Sequence, residues 1–283
     1  MASQIKTEIE ANGKNLQYWK DIWRYRALAI ELAKRDITVR YKQTIIGLGW
    51  SIINPIINML IMSFIFGTVA HLSSDGDAPY TVMVYAGTIP WTLFSRNILL
   101  ASGSFLSSVG IMKKVYFPRI ILPVSTSIST LIDSAISFFV YLLILLISFF
   151  SSGFVPSIRI LLVPLFSMLP IALGFFIGLF LAPLNIKHRD LNQAIPFLIT
   201  IGQYVTPVAY SFTVAVNAVP EKIRFIYELN PVAGVVNAFR WCIISTNEFH
   251  WPSFISALVF IAVFVPLGIK RFRKGERTFI DLV

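Results

Sequence analysis

Cysteine, histidine and charge are what this chain of 283 residues has least of. The single cysteine, Cys242, allows no intramolecular disulfide and no zinc cluster. Charged residues are 13% of the chain, against about 25% in soluble domains, which excludes an ordinary water-soluble protein. No G-x-x-x-x-G-K-[ST] loop, H-E-x-x-H, C-x-x-C or G-x-S-x-G occurs, so neither nucleotide hydrolysis nor zinc or serine hydrolase chemistry is expected of the chain itself. No signal peptide is expected either, because the charge-rich residues 1–46 precede the first apolar run and leave insertion to the first membrane helix.

What the chain does have is apolar length. Hydrophobic residues make up 56% of it and its mean hydropathy is +0.73, the composition of a membrane protein. The formal charge of +10 sits mainly beside the apolar runs, as topology signals do, so nucleic-acid binding is not expected. A spanning helix needs about 20 apolar residues. Segments 48–70, 80–106, 120–150, 160–184, 191–214 and 251–269 supply six, interrupted inside only by Arg96 and Asp133. Segment 221–250 is apolar in pieces but charged. It suits either a re-entrant hairpin packed in protein or helices lying at the surface.

Lys and Arg collect before the first span, in the links 113–119 and 187–189, and in the tail, which makes that side cytoplasmic and both termini cytosolic. From 18 to 40, 100° steps gather Lys20, Arg24, Glu31, Lys34 and Arg35 on one arc. Trp19, Ile22, Trp23, Ala29, Ile30, Ala33 and Ile37 fall on the opposite one, as in a helix lying at the interface. On that wheel Asp36 and Arg40 fall together on the apolar side four residues apart, which predicts a bracing ion pair.

Candidate sites are few. His71, Asp75 and Asp77 include an Asp-x-Asp pair that could chelate a metal, but the turn they occupy reads as plain and exposed. No metal site is assigned. His188 and His250 stand alone near membrane boundaries and read as interfacial anchors. Arg96 and Asp133 are costly inside spans and so are functional candidates, with a structural role as the alternative. Trp50, Asn54 and Asn58 share a face of the first span, and Thr200, Gln203, Tyr204 and Pro207 share one of the fifth. Either face serves helix packing or walls a channel for a sugar chain.

The stretch "LAKRDITVRYKQTIIGLGWSIINP" (32–55) closely resembles the signature of the ABC-2-type polysaccharide and polyol-phosphate exporters. "VYFPRIILP" (115–123), "TPVAYS" (206–211) and "NPVAGVVNAFRW" (230–241) resemble that family's later landmarks in order. The resemblance implies an all-α membrane protein. It would have a cytoplasmic N-terminal segment with its amphipathic helix (1–46), a six-span domain (47–270) and a cytoplasmic tail (271–283). It further implies a coupling helix near 109–119, carrying Lys113, Lys114, Phe117 and Arg119 toward an ATPase, and short outer gate helices within 217–248. The chain would act as a homodimer in the inner membrane with two copies of a separate ATP-binding subunit. It would bind no cofactor of its own, ATP and Mg being used by the partner. Its cargo would be a lipid-linked glycan, O-antigen first, with teichoic acid or capsule as alternatives and a membrane-embedded glycosyl or acyl transferase as a distant one. Trp50, Asn54, Asn58, Arg96, Thr200, Gln203 and Tyr204 would line the channel. Arg35, Arg40 and Lys42 would meet the lipid pyrophosphate at the entrance.

Overall fold

A computed structural model describes residues 15–42, 47, 49–112, 117–188 and 190–276, and every regular element among them is helical. Helices α1 (Asn15–Arg24) and α2 (Arg26–Lys42) follow one another across Tyr25. The expected single interfacial helix is therefore two, although the amides of Tyr25 and Ala29 keep helical bonds to Asp21 and Tyr25. Ala29, Leu32 and Ala33 are buried while Trp19, Trp23 and Ile30 stay exposed, so only part of the predicted apolar arc packs on protein. Glu31 and Lys34 pair at 2.8 Å on the wet side.

Helix α3 (Gly49–Met62) runs on through a π-helical stretch, Ser63–Val69. Then come α4 (Tyr80–Gly103), a short 3-10 turn and α5 (Val109–Met112), and α6 (Ile121–Ser152). A 3-10 segment Ile158–Leu162 leads into α7 (Val163–Phe166) and α8 (Met168–Lys187), followed by α9 (Leu191–Val205). Helices α10 (Phe212–Ala218), α11 (Glu221–Glu228), α12 (Pro231–Ile243) and α13 (Trp251–Glu276) complete the described residues.

Four stretches among the described residues are long and apolar enough to cross a membrane: Gly49–Val69, Ile121–Ser152, Ile158–Lys187 and Trp251–Glu276. The protein is thus a multi-pass membrane protein. Helix α4 has the length, about 36 Å at 1.5 Å per residue, but not the oiliness, because it is the central helix. Val82–Ala86 are sealed from solvent and Thr88, Ser95 and Asn97 are buried among neighbouring helices. Helix α9 is shorter than the expected run 191–214, roughly 22 Å. It stops because Thr206 precedes Pro207, which disfavours helical backbone, and Thr206 lies at φ −84°, ψ 140°.

Close helix crossings fix the bundle. Gly174 and Gly178, four apart on α8, let its backbone approach α4; a Cβ at Gly174 would lie 2.5 Å from the Phe94 carbonyl oxygen. Asn97 bridges the same crossing by donating to the Ile171 carbonyl at 2.7 Å, and it ties α4 to α6 by accepting from the Ser127 hydroxyl at 3.1 Å. A second apolar core joins α2, α8 and α13 through Leu32, Phe105, Phe117, Leu179 and Phe272. Beside it, the backbone amide of Arg119 donates to Glu276 Oε1 at 3.0 Å, and its guanidinium donates to the Glu276 carbonyl at 2.7 Å.

The segment 221–250 divides between the two arrangements its sequence allows. Asn230 caps α12 by accepting from the amides of Val232 and Ala233, with Pro231 at the first helical position. That helix is buried inside protein almost along its whole length. Helix α11 instead leaves Ile223 and Phe225 exposed, as a surface-lying piece does.

Candidate functional site

Three helices meet at one buried carboxylate. Asp133 lies on α6 about 18 Å from that helix's start, with 6% of its side chain exposed. Its Oδ2 accepts from Arg40 Nη1 at 3.1 Å and faces Arg96 Nε at 3.2 Å, while its Oδ1 accepts from the Tyr41 hydroxyl at 3.1 Å. The Tyr41 hydroxyl also contacts the Ser51 hydroxyl, which ties the end of α2 to the first turn of α3. An isolated charge inside a span costs about 2.5–3.5 kcal/mol on insertion scales. One carboxylate between two guanidinium groups relieves that cost for all three and leaves the cluster with one net positive charge.

Arg96 and Asp133, functional candidates with a structural role as the alternative, are paired with one another. The expected Asp36–Arg40 brace is not formed. Arg35 takes Asp36 through Nε and Nη2, at 3.0 and 2.6 Å, and Arg40 reaches across to α6 instead. The reason is burial: Asp133 has less access to water than Asp36, so the guanidinium neutralises the carboxylate that water screens least. Arg40 is still a brace, but it joins α2 to the bundle rather than to its own helix.

Beside this cluster opens a cavity of about 530 Å³ between α2, α3, α4 and α6. Trp50, Asn54, Asn58 and Arg96, all predicted for the channel, line it together with Arg40 and Asp133. Thr200, Gln203 and Tyr204 do not line it. They lie on α9, where the Thr200 hydroxyl donates to its own helix at Pro196 and Tyr204 is exposed. Arg35 and Lys42 are likewise not part of the cavity wall. Of the residues predicted to face an ATPase, Lys113 and Lys114 lie outside the described residues. Phe117 is buried in the second core rather than presented at the surface, and Arg119 holds Glu276.

Chemically, the cavity offers guanidinium forks suited to phosphate or carboxylate, side-chain amides for hydroxyl groups and an indole for an apolar ring face. Its volume falls in the usual range for ligand sites, about 300–1,000 Å³. No cluster of three or more His, Cys, Asp or Glu among the described residues could hold a metal. In the turn after α3, Asp75 faces Arg240 and Asp77 accepts from Thr246, so this turn is tied to the protein although His71 and Asp77 are exposed as expected. What the sequence reading missed at the cavity was Tyr41 and the hub role of Asp133. The available signal was that two opposite charges, each costly alone, stood within different apolar runs.

Residues 28–244 match the family described as ABC-2 type transporter. The chain belongs to the ABC-2 type transporter membrane family. Two proteins named "O-antigen export system permease protein RfbA" from Klebsiella pneumoniae are each 27% identical over 258 residues, covering 90% of this chain and 95% of theirs. A protein of the same name from Myxococcus xanthus is 24% identical over 221 residues, 78% of this chain and 82% of its own. As an ABC-2 membrane subunit the chain is a transport component, and ATP hydrolysis belongs to a separate ATP-binding subunit. The match includes α2, the ion cluster and α12, so the cavity lies within the family's core.

Proposed function

We propose that this protein is the membrane permease of an exporter that carries a lipid-linked polysaccharide, O-antigen in the first instance, across the cytoplasmic membrane. The relatives named as O-antigen export permeases, aligned along 90% of the chain, carry this reading. In it, two copies form the pathway and two copies of an ATP-binding subunit drive it, using ATP and Mg while this chain binds neither. Six spans place both termini in the cytosol, with α4 and α9 counted beside the four apolar stretches. Helices α11 and α12, within 217–248, belong to the outer gate.

The cavity supports the reading because its chemistry suits the junction of such a cargo. Arg40 and Arg96 offer charge to a phosphate, with Asp133 holding both forks in place, and Trp50, Asn54 and Asn58 suit a pyranose ring and its hydroxyls. Helix α2 runs from the interface into this cavity and carries Arg40 on it, so a push on α2 reaches the binding wall directly. Deleting the gene in its native host tests the assignment. Lipid-linked O-antigen is expected to accumulate inside the cell and vanish from the surface, and a plasmid copy should restore it. Unchanged surface polysaccharide would contradict it.

A further inference from the structure

Arg240 lies on α12, outside the cavity wall, and is 1% exposed. Its Nη1 donates to the Tyr210 carbonyl and its Nη2 to the Val208 carbonyl, both at 2.8 Å. Between them, the Ala209 carbonyl accepts from the Tyr80 hydroxyl at 2.7 Å. Three successive carbonyls of the corner between α9 and α10 are thus held by side chains from other helices. Asp75 supplies the counter-charge, its Oδ2 at 3.4 Å from Arg240 Nη1. Gly87 makes room on α4: a Cβ there would lie 2.3 Å from the Val208 carbonyl oxygen and 3.1 Å from Arg240 Nη2. The corner also reaches back, since the Tyr210 hydroxyl donates to the Tyr204 carbonyl at 2.7 Å.

Each feature has a physical requirement behind it. Irregular backbone at membrane depth is tolerated only where protein groups satisfy its carbonyls, and arginine is the side chain whose fixed fork serves several acceptors at once. A buried guanidinium in turn needs an anion, which the turn after α3 provides. Helix α9 packs sparsely on its neighbours, leaving Phe197, Leu198, Ile201, Tyr204 and Val205 exposed. Its position therefore depends on how its C-terminal corner is fastened.

We propose that Arg240 is the positioning residue that fastens the 206–211 corner onto α4 and α12, with Asp75 as its counter-ion, and so sets where the Gln203–Tyr204 end of α9 stands. Reading that end as part of the export pathway rests on the function proposed above, but the fastening does not. Two substitutions loosen it differently: Arg240→Lys keeps the charge and loses the fork, and Asp75→Asn removes the counter-charge while leaving the carbonyl bonds.

The reporter is Ala209→Cys, since Ala209 is 5% exposed in the fastened corner, and the native Cys242, fully buried two residues after Arg240, is the built-in control. The complex with its ATP-binding subunit, purified in detergent without cargo, is treated with a hydrophilic maleimide. Labelling at Ala209→Cys is expected to rise several-fold in Arg240→Lys, and less in Asp75→Asn, while Cys242 stays protected. Equal labelling of both cysteines would show a general loosening, and an unchanged rate at Ala209→Cys in both variants would show that the corner stands without Arg240; either overturns the proposal. If Arg240→Lys fails to reach the membrane, the milder Asp75→Asn decides by the same criterion. Because no cargo is present, this result is independent of whether the protein exports O-antigen.

Discussion

Asp133 holds one carboxylate between two guanidinium groups, and that arithmetic fixes what a substitution there should do. Asp133→Asn would leave Arg40 and Arg96 facing one another with a neutral amide between them. The cost should be about 3 kcal/mol, the lower end for breaking a buried pair, because the two arginines keep 26% and 28% of their side chains exposed. A double-mutant cycle separates this contact from the one the sequence suggested. Arg40→Ala and Asp133→Ala should couple by about 1–3 kcal/mol in thermal or denaturant unfolding, and Arg40→Ala and Asp36→Ala should add within about 0.5 kcal/mol. The wheel placed Asp36 and Arg40 correctly on one side of α2, but a wheel knows nothing of the neighbouring helix. The deciding residue stands 93 positions away from Arg40.

His250, in the link between α12 and α13, gives a pH dependence at the same scale. Its Nδ1 is 2.9 Å from the Ser253 hydroxyl and its ring packs on Phe212 at 4.3 Å. Burial lowers its pKa below the ordinary value, an effect only partly offset by the negative charge of Glu228. The unfolded chain therefore binds the proton more readily, and a penalty on the fold grows as pH falls below about 6.5. The Tm of the purified protein should drop on acidification, and His250→Gln should shrink that drop. An identical drop in both proteins would remove His250 as its source.

At the scale of elements, the crossing of α4 and α8 depends on Gly174 and Gly178 having no side chain. Gly174→Val would put a Cβ 2.5 Å from the Phe94 carbonyl and force the two helices apart. A loss of about 1–3 kcal/mol follows from overpacking of this kind. It should appear as a lower Tm with little change at Gly103→Ala, where a Cβ meets nothing within 4 Å. Equal effects at the two positions would contradict the packing account. The G-x-x-x-G pattern that marks this crossing was present in the sequence at 174–178, and a reading centred on charge passed over it. The four long apolar stretches were legible because about 20 apolar residues leave few alternatives. The end of α9 was not, because hydropathy continues smoothly through Thr206–Pro207 while backbone geometry does not. Nor was the enclosure of Arg240, which depends on two carbonyls and a carboxylate brought in from other parts of the chain.

At the scale of the whole molecule, two charged assemblies fasten different parts of the bundle. The Arg40–Asp133–Arg96 cluster locks α2 to α4 and α6, and Arg240 locks the corner after α9 to α4 and α12. Helix α4 is common to both. Its enclosure by α3, α6, α8 and α12 explains why a helix so central is among the less oily ones, since it faces protein and the cavity instead of lipid.

The most direct test of the export account is ATP turnover by the purified complex of this chain with its ATP-binding subunit, in lipid, with and without lipid-linked O-antigen. The account predicts that the cargo changes turnover several-fold. It also predicts that Arg40→Gln with Arg96→Gln removes the response while leaving cargo-free turnover measurable. Turnover indifferent to the cargo in the parent complex, or a response that persists undiminished in the double variant, would contradict it.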